Sequence, residues 1–307
     1  MPTVLITGAA GFIGGHLADY LRKKGCGTKL CIRQQDKINK LIPGQDYVAV
    51  DLDDPHIDYA ALFSNIDMII HLAGKAHSVN FTREEIYRSN YASTARLFDA
   101  AVAAGLRRFI YLSTAKVYKK NASFGGDNYS GSKSEAEKYI EAASAERNIE
   151  TVILRSPLVY GPGVRANFLR LMQLVRSGVP LPFANIANQR SFVYVENLCD
   201  LIYTCICQHR MKDQKILCVK DWDVSTPELI RMLARNLGVK ARLFPCPRWL
   251  LNAGFRLLGQ KENLARLTDS LVVDDSYTRT LLKWAPPVPP EAGIQNTAMW
   301  FKEKMND

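Results

Sequence analysis

The 307-residue chain contains no apolar run approaching the roughly 18 residues that a bilayer-crossing helix needs. No transmembrane segment is expected. Behind Met1, Pro2 and Thr3 there is neither a basic n-region nor an apolar h-region, so the chain reads as one without a secretory signal. It also lacks any CxxC pair. Its seven cysteines, an odd number, are scattered at 26, 31, 199, 205, 207, 218 and 246, mostly in apolar stretches where the thiol acts as a small hydrophobe. No histidine stands close enough to them in sequence to complete a zinc site, and no metal is expected. A reduced, cytoplasmic compartment fits this cysteine usage. Internal repeats and low-complexity tracts are missing too, while 47% hydrophobic and 23% charged residues are ordinary globular values. What the chain has in excess is positive charge: Lys+Arg 40 against Asp+Glu 30, a net +10. Nucleic acid, an anionic membrane surface and polyanionic small molecules all suit such an excess, and composition does not choose among them.

The length is about twice that of a typical domain. In the first half, short apolar runs alternate with helical patterns. Strands are expected at Val4–Ile6, Lys29–Ile32, Tyr47–Val50, Met68–Leu72, Arg108–Leu112 and Thr151–Leu154. Between them lie helices at about Phe12–Lys24, Thr82–Ala104 and Tyr129–Arg147. Strands that are apolar throughout, separated by amphipathic helices, predict an α/β fold: a Rossmann-type, doubly wound parallel sheet covered on both faces. Beyond about residue 156 the rhythm becomes irregular. Phe192–Val195 and Lys215–Val219 read as strands returning to the sheet, and helices are expected near 226–237 and 247–258 and after the Pro-rich Ala285–Pro290.

Thr7-Gly-Ala-Ala-Gly-Phe-Ile-Gly14 joins the first strand to the first helix. Gly8, Gly11 and Gly14 suit a tight turn, a close backbone approach by a pyrophosphate, and close helix–sheet packing. The N–H groups at the helix start, around Phe12 and Ile13, would hold the phosphates. The second strand ends in Arg33-Gln-Gln, where an acid would grip an adenosine ribose. An arginine there suits a 2′-phosphate, favouring NADP(H), with NAD(H) the alternative; a solvated strand-end arginine is the plainer reading. Asp51, with Leu52, is a candidate for contacting adenine, or equally a solvated loop acid. Lys37 and Lys40 read as surface charges.

Tyr129-Ser-Gly-Ser-Lys133 opens a helix with its tyrosine and lysine at i, i+4, on one face. An ammonium beside a phenol favours phenolate, so the tyrosine can exchange a proton near neutral pH. Tyr20 and Lys24 share that spacing but read as a surface or capping pair. The first pair keeps different company: Leu112-Ser-Thr-Ala-Lys-Val-Tyr118 leaves the fifth strand at its C-terminal end, where doubly wound sheets bind ligands.

With TGAAGFIG at 7–14, HLAG at 71–74, LSTAKVY at 112–118, YSGSK at 129–133, LRSPLVYGPG at 154–163, RSFVYVENL at 190–198 and LLKWAPP at 281–287, the chain resembles the extended short-chain dehydrogenases/reductases. The likeness is to the branch that acts on nucleotide sugars as 4-epimerases, dehydratases and 4-ketoreductases, and it spans nearly the whole length. It implies a cofactor domain over 1–155 with about 189–219, and a smaller mixed α/β nucleotide-sugar domain over 156–188 and 220–307. It implies Tyr129 as general acid/base, and Lys133 as the group that lowers its pKa and binds nicotinamide ribose. Thr114 would bond the sugar oxygen that becomes a carbonyl, with Ser113 the alternative should the register slip by one. Leu72, Ala73, Gly74 and Asn90 fall at cofactor positions. Asn167 and Arg190 match diphosphate positions, Arg266 is a further candidate, and Tyr160 either borders the nicotinamide pocket or packs in the core.

Two departures bear on the reaction. Only fourteen residues separate Thr114 from Tyr129, where many relatives carry a longer acidic loop, so the sugar pocket would be more open. No acidic pair follows Thr114, which disfavours 4,6-dehydration. The arginine at 33 tips the choice to a 4-ketoreductase acting on a UDP-4-keto-6-deoxy-N-acetylhexosamine in surface polysaccharide biosynthesis. The alternative is a 4-epimerase of UDP-glucose or UDP-N-acetylglucosamine with bound NAD; a non-catalytic dinucleotide sensor or scaffold is the reading from another class. No nucleic-acid partner is expected. The resemblance implies a homodimer through the helices near 90–104 and 130–147. Pro247–Leu258 reads as a substrate-domain helix with solvated arginines, the other reading being a basic amphipathic helix at a membrane surface.

Overall fold

The computed structural model describes residues 2–33, 44–76, 81–118, 128–145, 147–208, 211, 214–257 and 261–306. Lys37, Lys40 and most of the short segment between Thr114 and Tyr129 lie outside these residues, as does the side chain of Arg266.

Strands β1 to β10 are numbered in chain order and form two sheets. The larger contains β1 (Thr3–Thr7), β2 (Gly27–Ile32), β3 (Asp46–Ala49), β4 (Met68–His71), β5 (Arg108–Thr114), β6 (Glu150–Ser156) and β9 (Lys215–Cys218), in the order β3-β2-β1-β4-β5-β6-β9. Every pairing in it is parallel. This is the expected Rossmann-type, doubly wound sheet. β4 and β5 are buried along their whole length, as central strands covered on both faces must be.

Side chains alternate across the sheet. Ile110 and Leu112 of β5 face a core shared with Leu17 and Leu21 of α1 (Phe12–Lys23) and Leu198 and Ile202 of α7 (Val195–Cys207). Phe109 and Tyr111 face the other way, onto Leu97 and Phe98 of α4 (Ser93–Ala103) and Ala136 and Ile140 of α5 (Asn128–Ser144). Arg108 begins β5 with a fully buried side chain. Its guanidinium bonds Glu150 Oε2 and the carbonyl oxygens of Cys205, Ile206 and Gln208, capping the C-terminal end of α7.

The helix expected over 82–104 is interrupted. Thr82 caps α3 (Arg83–Tyr87) through a capping box with Glu85, then residues Arg88–Ala92 form a π turn before α4. The strand expected at 192–195 also differs. β8 (Arg190–Tyr194) does not return to the parallel sheet but pairs with β7 (Leu158–Tyr160) in parallel and β10 (Trp222–Val224) in antiparallel fashion. An apolar run signals burial without naming its partner, so either sheet satisfied the sequence pattern. The second strand, at 215–218, does extend the large sheet beside β6.

The small sheet anchors a second lobe with α6 (Ala166–Arg176), α8 (Thr226–Leu237), α9 (Arg248–Leu257), α10 (Lys261–Thr268), α11 (Ser276–Leu282) and α12 (Pro290–Asn306). α8 shows why its sequence folds locally. Ser225 and Glu228 make a capping box, Pro227 occupies the first turn, and Gly238 ends the helix at φ 76°. Leu229, Ile230 and Leu233 of α8, with Trp284 and Phe301, belong to the same apolar cluster as Val4, Ile6 and Leu17, so one core runs under both lobes.

Candidate active site

Gly8 follows β1 at φ 70°, a conformation that costs glycine little. A Cβ there would come within 2.8 Å of Ala73 N, so the turn lies directly against the end of β4. At Gly14 a Cβ would meet the Gly8 carbonyl and approach Ala9 Cα to 2.7 Å, which is how α1 starts so close to the strand. Gly11 is the N-cap of α1; it offers no side-chain cap, and the first turn holds no acid. The helix-start N–H groups thus have no side-chain cap, and a glycine turn packed this closely between strand and helix fits a dinucleotide pyrophosphate. Beneath the turn, Thr7 Oγ1 and Thr94 Oγ1 bond the two ring nitrogens of His71 at 2.7 and 2.9 Å. Burial pushes the pKa of His71 down to about 3, which leaves a neutral ring in a structural role.

The next loop joins this cradle to the Tyr–Lys helix. A Cβ on Gly74 would lie 3.0 Å from Asn90 Oδ1 and 3.4 Å from Lys133 Nζ. Asn90 sits in the π turn, fully buried, accepting the Lys75 N–H at 2.7 Å and donating to the Lys75 carbonyl and to Ser132 Oγ. π turns inside helices recur at functional sites because they re-aim a side chain. Here the turn brings α4, the 72–75 loop and α5 to one amide.

Lys133 is one helical turn beyond Tyr129 on α5 and is buried. Its ammonium donates to the Leu112 carbonyl at 2.9 Å and stands 4.5 Å from the centre of the Tyr111 ring. Burial lowers its pKa to about 8, against the opposing pull of the Glu137 carboxylate. Glu137 is itself clamped by Arg155 of β6, with Nη2 to Oε2 at 2.6 Å. Tyr129 is half-buried in the first turn of α5, and Lys116 Nζ lies 5.6 Å from the centre of its ring. Thr114 ends β5, buried, and its Oγ1 accepts the Lys116 N–H at 3.3 Å. Ser113 precedes it on the sheet face shared with Tyr111 and Arg155. Its Oγ is buried with no hydrogen-bond partner among the described residues.

Arg33 directly follows β2, but it is not a free cation. Nε lies 3.4 Å from Asp51 Oδ1 and Nη2 lies 3.9 Å from Asp53 Oδ2. Asp53 also takes the Ser93 hydroxyl at 2.9 Å and Lys75 Nζ at 3.3 Å. Burial works against the charge of Asp53, yet Ser93, Lys75 and Arg33 prevail and hold its carboxyl below the usual range. Two carboxylates from the segment after β3 therefore stand beside Arg33, with Leu52, between them in sequence, buried. Asp53, Lys75 and Ser132 escaped the sequence reading. The DLDD run at 51–54 was the available signal for the first.

Other candidates lie elsewhere. Asn167 occupies the first turn of α6, and Arg190 starts β8 with Nη1 3.5 Å from the Asp269 carbonyl, both on the second lobe. Tyr160 packs fully buried among Phe168, Phe192 and Tyr194. Tyr20 donates to Asp200 Oδ1 at 2.5 Å while Lys24 stacks over its ring, a structural pair. Among the described residues no group of three His, Cys, Asp or Glu is placed to hold a metal, and no helix is long and apolar enough to cross a membrane.

Comparison with known proteins agrees with this architecture. A UDP-glucose 4-epimerase of Vibrio cholerae is 36% identical, the match covering 99% of this chain and 97% of the relative. Two solved structures share the fold at TM-score 0.79. One is a UDP-glucose 4-epimerase of Thermotoga maritima, 20% identical over 99% of both chains. The other is a UDP-glucuronic acid 4-epimerase of Bacillus cereus with UDP-glucuronic acid and NAD, 21% identical over 98% of this chain and 99% of the other. Residues 4–218, which include the glycine turn, the parallel sheet and the Tyr–Lys helix, match the family model: the chain belongs to the NAD dependent epimerase/dehydratase family.

Proposed function

We propose that the protein is a UDP-hexose 4-epimerase that keeps NAD bound and interconverts the two configurations at C4 of the sugar. The observation that carries the assignment of a working site is the continuity from Gly8 through Ala73 and Gly74 to Asn90 and Lys133. It puts a phosphate cradle and a Tyr–Lys pair on one sheet edge. Bound NAD supplies an acceptor, and then a donor, for the hydride at C4. Tyr129 takes the C4 hydroxyl proton, and the Lys116 and Lys133 ammonium groups favour its phenolate form. Thr114, whose Oγ1 already accepts one N–H, turns its own O–H to the C4 oxygen. Asn90 holds the 72–75 loop and α5 in register, and Lys133 is steered to the ribose side of the cradle. Asn167 and Arg190 hold the diphosphate, so that the keto sugar turns over while tethered.

Two observations favour epimerase over 4-ketoreductase. The Vibrio cholerae relative, matched over nearly its whole length, is named a UDP-glucose 4-epimerase. The preference for NADP(H), and with it for the reductase, rested on Arg33, and that guanidinium is shared by two carboxylates that would repel a 2′-phosphate. We assign NAD(H) as the cofactor on the same ground. A homodimer through the faces of α4 and α5 remains part of this proposal.

The test is the purified protein with UDP-glucose and no added cofactor. UDP-galactose should form catalytically, NAD should be released on denaturation, and Tyr129→Phe should lower turnover by about 10²–10⁴-fold. No UDP-galactose from UDP-glucose, together with consumption of one added NADPH per molecule of a UDP-4-keto-6-deoxy-N-acetylhexosamine, would instead restore the reductase.

A further inference from the structure

The excess of positive charge is concentrated. Residues 229–261 contain seven Lys or Arg and no Asp or Glu, against a net +10 for the whole chain. The described ones, from Arg231 to Arg256, are all exposed. The same stretch displays large apolar side chains to solvent: Phe244 is 44% exposed, Leu250 48%, Trp249 71% and Leu257 89%.

Helix α9 orders these groups. At about 100° per residue, Trp249, Leu250, Ala253 and Leu257 share one arc. Arg248, Asn252 and Arg256 fill the adjoining arc, and Leu251 and Phe255 turn to the protein. Leu251 alone on this helix is fully buried. Arg248 comes within 3.7 Å of Asp269 but its side chain stays 72% exposed. An apolar stripe bordered by arginines, in a segment free of acid, is the pattern of a helix lying in a bilayer interface.

We propose that α9 and the segment leading into it form a docking surface for an anionic lipid bilayer. Trp249, Leu250 and Leu257 enter the headgroup–acyl boundary, and the flanking arginines meet lipid phosphates. Charge complementarity selects this occupant. A second copy presenting the same face would bring like charge against like charge. A nucleic acid would match the charge but give Leu250 and Leu257 nothing apolar to cover them. With no described helix long enough to span, the protein lies on the surface. The inference is independent of the reaction assigned to the active site.

The test is flotation of the full-length protein with vesicles of phosphatidylcholine alone, and of phosphatidylcholine with about one-third phosphatidylglycerol, at about 0.1 M salt. Binding to the anionic vesicles is expected to exceed binding to the neutral ones by about tenfold or more. The double variant Trp249→Ser/Leu257→Ser and, separately, Arg256→Glu are each expected to lose about tenfold in vesicle affinity. Both should keep wild-type circular dichroism and wild-type turnover. Equal recovery with both vesicle types, or no recovery with either, overturns the proposal, as does binding that neither variant weakens. Self-association abolished by the same substitutions, or capture of duplex DNA without vesicle binding, would assign the face to a different occupant and equally overturn it.

Discussion

Replacing Lys133 with methionine is expected to remove activity and raise stability together. The lysine is 3% exposed, and burial brings its pKa from the ordinary 10.5 to about 8. A base whose folded pKa lies below its unfolded pKa binds its proton less well in the native state. Stability is then full above the unfolded value and is lost as pH falls toward the folded one. A separation of 10.5 from about 8 corresponds to about 3 kcal/mol at pH 7. About 2 kcal/mol of that should return between pH 7 and pH 9.5. Methionine carries no proton and nearly the same length of chain, so Lys133→Met avoids this cost, less the bond to the Leu112 carbonyl, worth about 1 kcal/mol. The expected net gain at pH 7 is about 1–2 kcal/mol. Urea unfolding of both proteins at pH 7 and pH 9.5 measures it, and the wild type should gain on the variant as pH rises. Identical pH slopes, or a variant less stable than wild type at pH 7, would show that Lys133 is not charged at a cost in the folded protein.

The other expectations concern the cradle, the adenosine end and the fold. Gly14→Ala would press a Cβ into the Gly8 carbonyl, and should lower NAD retention at least about tenfold with a loss of about 2 kcal/mol or more by thermal unfolding. Asp51→Ser/Asp53→Ser releases Arg33 from both carboxylates; the ratio of NADP to NAD affinity, read by fluorescence titration, should rise about tenfold. An unchanged ratio would mean that Arg33 does not face the adenosine ribose. Arg108→Met strips the caps from the end of α7 and leaves Glu150 without its buried partner, so chemical denaturation should register a loss of about 3–5 kcal/mol.

The parallel sheet was legible because its central strands are apolar from end to end, and the spacing between them is too long for hairpins and right for crossover helices. The glycine turn and the Tyr129–Lys133 pair were legible for a related reason: their chemistry depends on neighbours close in sequence. What lay hidden depends on distant ones. Nothing around Arg33 announces that Asp51 and Asp53 close on it from behind another strand. The π turn at Arg88–Ala92 shifts a backbone hydrogen-bond ladder and leaves no mark on the pattern of side chains. β8 was assigned to the wrong sheet because its buried run reports only that it is covered. Ser113 and Thr114 show the finest limit, since one residue of register reverses which sheet face a hydroxyl meets.

The apolar cluster that runs from Val4 and Leu17 to Trp284 and Phe301 bears on how ligands come and go. Two lobes joined by a continuous apolar core cannot swing apart like jaws without exposing it to water, at a cost proportional to the area uncovered. For the proposed 4-epimerase, lobes fixed in this way would keep sugar and cofactor at one spacing through both hydride transfers.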